Sequence, residues 1–235
     1  MLLVGTAGLA ASAAGVSSQL LPRRFTVAQQ QQIMTWEMGR RWQALPAGTI
    51  FPATITYQLP GYALASSTQL PLTAYRVGIS RQATCAKAAD PAAARVLSAH
   101  HCTAVIRATY ADETDSMLVT VGVAVMPGAS AARAAAGELS SGSGLHPGVR
   151  AAAFRGTLAA SFGDRQRQLS WATSAGPYVI LSTAGYASGM PEEDVASDPY
   201  ADQELTSLAG GVANAVGTPL GVQPAPPRCP GAPGC

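Results

Sequence analysis

The sequence predicts an α+β domain, an antiparallel sheet of five or six strands with helices mainly on one face, behind an N-terminal transmembrane helix. Three observations lead there. From Tyr75 to Leu139 the pattern runs strand, helix, strand, strand, helix, the opening of a split α+β arrangement. Val119, Val121, Val123 and Val125 alternate with small residues, the period-two signature of a strand with one face on a core. Leu2 to Leu21 contains no charged side chain, and as a helix it would span about 30 Å, the thickness of a bilayer's hydrocarbon layer.

Residues 1–22 therefore read as a transmembrane anchor or signal segment. Ala11-Ser12-Ala13 has the small-x-small pattern of a signal-peptidase site, which keeps cleavage open. Residues 25–46 follow as a juxtamembrane amphipathic helix: Val27, Met34, Met38, Trp42 and Leu45 recur at helical spacings, and Pro46 ends the run. This stripe suits either the covering of a sheet face or dimerisation beside a membrane. Residues 47–217 form the predicted domain. Ile50 to Leu59 reads as a strand, placed at an edge by Pro52. Tyr75 to Ser80 is a second strand. Asp90-Pro91 starts a helix to Ala99, with Asp as cap and Pro at the first helical position.

Thr103 to Ala111 and Met117 to Met126 are strands joined by the polar loop Ala111-Asp112-Glu113-Thr114-Asp115-Ser116, and Ser130 to Leu139 is an Ala-rich helix. Gln168 to Thr173 and Tyr178 to Thr183 pair around Ser174-Ala175-Gly176-Pro177. A last helix runs from Asp198 to Val216, with Leu205, Leu208, Val212 and Val216 on one side. Residues 218–235 are a Pro-rich tail.

Composition limits the partners. Hydrophobic residues make up 48% of the 235, but 46 of them are Ala, so the core of large side chains is thin. Charged residues are only 12% and the net charge is +2, which leaves no dense Lys/Arg stripe for nucleic acid. The chain has a single Lys, Lys87, against 14 Arg, a bias that points to a GC-rich genome.

Four cysteines fall into two neighbouring pairs, Cys85 with Cys102 and Cys229 with Cys235. Such spacing predicts disulfides in an oxidising compartment. The expected localisation is a single-pass anchor in the cell membrane with the bulk of the chain extracytoplasmic. Arg23 and Arg24 oppose it, because they follow the apolar run where the positive-inside rule puts cytoplasm. A basic stretch upstream of Met1 would remove the conflict.

Chemistry is sparse. His100-His101-Cys102 is the densest reactive cluster, but adjacent histidines at a helix end diverge and no paired metal-ligand spacing is present, so no metal is expected. Nucleophile-elbow, zinc-peptidase and phosphate-loop patterns are missing, and His146 sits in a Gly/Ser loop. No catalytic residue and no cofactor-binding residue is assigned. Gly210-Gly211 inside the last helix reads as a close-packing point. The polar run from Phe162 to Gln168 could take an anion, and reads more simply as a solvated turn. Glu192, Glu193, Asp194, Asp198, Asp202 and Glu204 have no EF-hand register, and helix capping explains them.

The motifs TVAQQQQIMTWEMGRRWQALPAGTIFPATITY, DPAAARVLSAHHCTAVIRATYAD, LVTVGVAVMP and FGDRQRQLSW resemble a set of actinobacterial membrane-anchored proteins of unknown function. The resemblance implies an anchored extracytoplasmic domain in a filamentous high-GC bacterium and brings no activity or site residue with it. Two architectures fit the element order. One is a ferredoxin-like sandwich. The other is a cystatin-like cone curved around Phe25 to Leu45, similar to periplasmic domains of secretion assembly factors by fold analogy alone. The leading functional expectation is a non-enzymatic envelope interaction or scaffold protein, with a protein partner or a second copy of itself. The alternative is an extracytoplasmic small-molecule sensor or binding module, which requires a pocket with converging polar groups.

Overall fold

The computed structural model describes residues 24–60, 69–140, 147–189 and 199–228. The predicted anchor, His146 and the pair Cys229 and Cys235 lie outside them. Among the described residues no helix is long and apolar enough to cross a membrane. The chain divides into two units, Met1–Glu37 with Pro224–Cys235, and Met38–Gln223. Within the first unit the Phe25 amide donates to the Arg228 carbonyl at 2.9 Å. Helix α1 (Val27–Ala44) is the predicted amphipathic helix and buries none of its residues completely. Val27, the first member of its stripe, is 70% exposed.

The second unit is built on one six-stranded sheet: β1 (Thr54–Pro60), β2 (Gln69–Ile79), β3 (Ala104–Asp112), β4 (Met117–Val125), β5 (Leu169–Ala175) and β6 (Tyr178–Tyr186). Their order is β1-β2-β3-β4-β6-β5, and every neighbouring pair is antiparallel. Four strands meander, and a returning hairpin adds β6 beside β4. Gly176 sits at φ +57° and Pro177 follows, so a two-residue loop closes that hairpin, two residues shorter than the predicted turn. A ferredoxin-like sheet sets a third strand between the two strands that flank each helical connection, whereas here β2 and β3, on either side of the helical segment between Ser80 and Thr103, are direct antiparallel neighbours.

Helices cover both faces, not mainly one. The first face carries Val119, Val121, Val123 and Val125, as their alternation predicts, and packs on α6 (Pro199–Gly221) through Leu205, Leu208, Val212, Val216 and Leu220. On the opposite face Val105, Ala124, Val179 and Leu181 pack on α4 (Pro91–Ala99) and α5 (Ala129–Leu139) through Leu97, Ala132, Ala135 and Leu139. β6 shows why one layer cannot suffice. Val179 and Leu181 lie in one core, Ile180 and Ala184 in the other, and all four are buried. A central strand that is apolar on both faces requires cover on both.

The long helix across the sheet is thus the C-terminal one, not the Phe25 to Leu45 helix of a cystatin-like cone. The end of α1, from Met38 on, belongs to this unit: Trp42 and Leu45 pack on the first core, and the buried Tyr178 hydroxyl donates to the Met38 carbonyl and accepts from the Trp42 amide. The last helix also runs past its predicted end at Val216, to Gly221, because Leu220 is as fully buried as Val216. Burying one more apolar turn outweighs the poor helix preference of Gly217 and Pro219. At the other end of the domain, α2 (Ala47–Ile50) replaces the start of the predicted first strand. A single helical turn after Pro46 drives Ile50 and Phe51 into the core, and β1 begins only at Thr54.

Candidate functional site

Three places gather the polar side chains. The first is the cysteine corner. Cys85 opens α3 (Cys85–Ala88), Cys102 precedes β3, and the two are joined by a disulfide with Cα atoms 6.3 Å apart. His100 ends α4 and its Nε2 meets the Glu138 carboxylate of α5 at 2.8 Å. His101 takes the left-handed conformation, φ 60°, that turns the chain back toward Cys102. These residues tie elements together, and among the described residues no three His, Cys, Asp or Glu side chains gather as a metal site would require.

The second place corrects the solvated-turn reading at the two ends of Phe162 to Gln168, while Asp164 and Arg165 between them are exposed as that reading expects. Phe162, Arg167 and Gln168 are buried. The Arg167 guanidinium donates to Asp90 Oδ2 at 3.1 Å, Ser170 Oγ at 3.1 Å and Thr183 Oγ1 at 3.0 Å. Asp90 also caps α4, accepting from the Ala92 and Ala93 amides, and it receives the Gly148 amide at 2.7 Å. Burial alone would raise its pKa. The backbone donors of Ala93 and Gly148, with the Arg167 charge, outweigh that and hold the carboxyl below the usual aspartate range. Alongside, Thr109 donates to the Ala152 carbonyl and Thr120 accepts the Ala152 amide, while the two hydroxyls meet at 2.8 Å. This network pins the segment after Gly148 against the sheet. Its cation already holds an anion, so it is not an anion receptor.

The third place is a cleft of about 140 Å³ at the end of β3, beside β1 and the start of α6. Its polar lining is Tyr57, Asp112, Glu113, Thr114, Ser116 and Glu204, and its apolar walls are Leu59, Leu72 and Met117. Each side chain has a local reason to be there. Asp112 ends β3 and folds the following turn around its carboxylate, which accepts the Met117 amide at 2.6 Å, the Thr114 amide at 3.1 Å and the Ser116 hydroxyl at 3.3 Å. That is an Asx-type turn, and Asp115 at φ 59° completes it. Glu113 accepts the Thr73 amide of β2 at 3.0 Å, just past the Ala74 to Asp112 register pair, so a side chain continues the ladder where β3 stops. Glu204, one turn into α6, accepts the Tyr186 hydroxyl at 2.9 Å.

Tyr57 is the unusual member. It is 2% exposed, and its hydroxyl has no hydrogen-bond partner. Burial raises its pKa most, and the charges of Asp112, Glu113 and Glu204 raise it further, so the hydroxyl end stands near the three carboxylates that line the cleft. Gly211 explains its position. A Cβ there would lie 2.4 Å from Tyr57 Cβ, so only glycine lets α6 close on β1 at this point. The close-packing expectation for Gly210-Gly211 is met at Gly211. Gly210 stands over the Trp171 indole.

Sequence reading found the disulfide and missed the cleft. Asp112 and Glu113 look like loop polarity, Glu204 like helix-start acidity and Tyr57 like sheet preference. The four come together only through strand register. Neither a family model, nor a curated protein, nor a solved structure matches the chain.

Proposed function

We propose that the chain is an extracytoplasmic, non-enzymatic binding module, held at the cell membrane through residues 1–22. The observation that carries this reading is the cleft, where polar groups from β1, β3 and α6 converge around a buried hydroxyl that the protein itself leaves unpaired. An unpaired buried hydroxyl costs on the order of 1–3 kcal/mol, a cost that a ligand's hydrogen bond removes. The binding-module reading thus gains a specific observation that the scaffold reading lacks. The closed Cys85–Cys102 bridge supports an oxidising compartment. Among the described residues no His, Cys or Lys lines the cleft, and each of its carboxylates already accepts an amide or hydroxyl donor.

Thermal denaturation of the protein against a mixed set of cationic, neutral and anionic metabolites tests the binding reading. At least one class should raise the melting temperature of the wild type and have a reduced effect on Tyr57→Phe. A flat response to every class would return the protein to the scaffold reading. Alkylation without reductant in the native host tests the compartment. Cys85 and Cys102 should resist the reagent, and free thiols there would place the domain in the cytoplasm.

A further inference from the structure

We propose that the cleft recognises a primary ammonium group carried on a short aliphatic stem. This rests on the reading of the cleft as a ligand site, and it names what the ligand must be. Three carboxylates, Asp112, Glu113 and Glu204, line a cleft to which no Lys, Arg or His contributes among the described residues. Among the described residues their hydrogen-bond partners are neutral amides and hydroxyls, which orient the carboxylates without balancing their charge. The missing counter-charge is positive.

The geometry then chooses among cations. A hard metal ion needs six or more oxygens at about 2.0–2.6 Å. Both Asp112 oxygens already serve the β3–β4 turn, one of them with the Thr114 and Ser116 donors, and the described residues contain no metal-competent group of three. An ammonium asks less. Its three N–H donors need one free lone pair each, at hydrogen-bond distance. Glu113 and Glu204 each have oxygen capacity beyond their single protein donor. The Tyr57 hydroxyl, which has no partner in the protein, supplies a third acceptor, and its raised pKa keeps it a neutral O–H.

The walls set the rest of the ligand. Leu59, Leu72 and Met117 offer methyl and methylene surface, which a polar or strongly hydrated stem would waste. A volume of about 140 Å³ compares with the roughly 150 Å³ cavity that accommodates benzene. It therefore takes about five or six heavy atoms, an ammonium with four or five carbons. A free alkylamine and the end of a lysine side chain share that chemistry.

The test is titration calorimetry and thermal shift on the full chain with n-butylamine, 1-butanol, butyrate, butylguanidine and calcium chloride. Acetyl-lysine-methylamide provides the peptide-borne amine. Butylamine or the lysine amide should bind and raise the melting temperature, the stronger of the two naming the source, while butanol and butyrate should not. Tyr57→Phe and Glu204→Gln should each weaken amine binding about tenfold, the loss expected for one hydrogen bond to a charged group. Far-UV circular dichroism checks that each variant is folded, and Glu204, only partly buried, gives the arm least exposed to misfolding. If calcium, butylguanidine, butanol or butyrate shifts the protein and the amines do not, the ammonium assignment is wrong and the ligand site stands. If none of these probes and no member of the mixed metabolite set shifts it, the site reading fails too.

Discussion

Asp90 performs three tasks with one carboxylate: it caps α4, receives the Gly148 amide and pairs with a guanidinium that is 6% exposed. Removing one member of a buried pair leaves the other charge uncompensated, so Asp90→Asn should lose about 3 kcal/mol at neutral pH even though Asn can still cap the helix. The pH dependence has a definite sign. The folded-state pKa lies below the unfolded value of about 3.9, so the unfolded chain takes up the proton first. The stabilisation is fully present above that value and disappears as pH falls through the lower, folded one. Melting temperatures of wild type and Asp90→Asn, measured from pH 7 down to pH 3, should stay parallel to about pH 5 and then converge. Curves that remained parallel throughout would deny the carboxylate its ionic role. Asp90-Pro91 is readable in the sequence as a helix start, but its partner Arg167 is not. Nothing local distinguishes an arginine bound for solvent from one that turns under a sheet to meet a cap 77 residues away.

At the scale of elements, two joints hold the layers. One is the contact of α6 on β1, where Gly211 faces Tyr57. Gly211→Ala gains helix preference of about 1 kcal/mol. It also drives a methyl into the Tyr57 Cβ and backbone, an overpacking cost of roughly 1–3 kcal/mol. The expected result is a net loss of stability together with altered near-ultraviolet circular dichroism from the displaced ring. A more stable variant with an unchanged aromatic signal would show that the helix does not bear on β1 there. The other joint is the disulfide, with a sequence separation of 17. In the chain-entropy model a loop of that size contributes about 3 kcal/mol. Replacing both Cys85 and Cys102 by Ala should lower the melting temperature by roughly 6–12 °C. Loss of only a degree or two would mean that the packing of Leu97 and Leu139 already holds this corner.

Across the whole molecule, what the sequence reveals is what repeats locally. The valine alternation of β4, the cap and proline of α4 and the near spacing of Cys85 and Cys102 all declare themselves within about twenty residues, and the structure contains each. The second helical layer was hidden because the buried face of α5 is almost all Ala, whose small side chains become core only once Val179 and Leu181 lie above them. The end of α6 was hidden because Gly217 and Pro219 signal a stop that burial of Leu220 overrides. The cleft was hidden most completely. Its residues are numbered 57, 112, 113 and 204, and their meeting depends on the β1–β2–β3 register and on a glycine in a helix. The thin core expected from so much alanine is real, and it is offset by double-sided cover of the sheet and by buried hydrogen-bond networks.

The central claim is that one small acidic cleft is where this protein meets its ligand. The most direct measurement is a titration of isotopically labelled protein with n-butylamine, followed by amide nitrogen–proton correlation spectra. Saturable shifts confined to Tyr57, the Asp112 to Met117 turn, Thr73 and the first turns of α6 are the predicted result. Shifts absent at saturating amine, or scattered over surfaces remote from Tyr57, would contradict it.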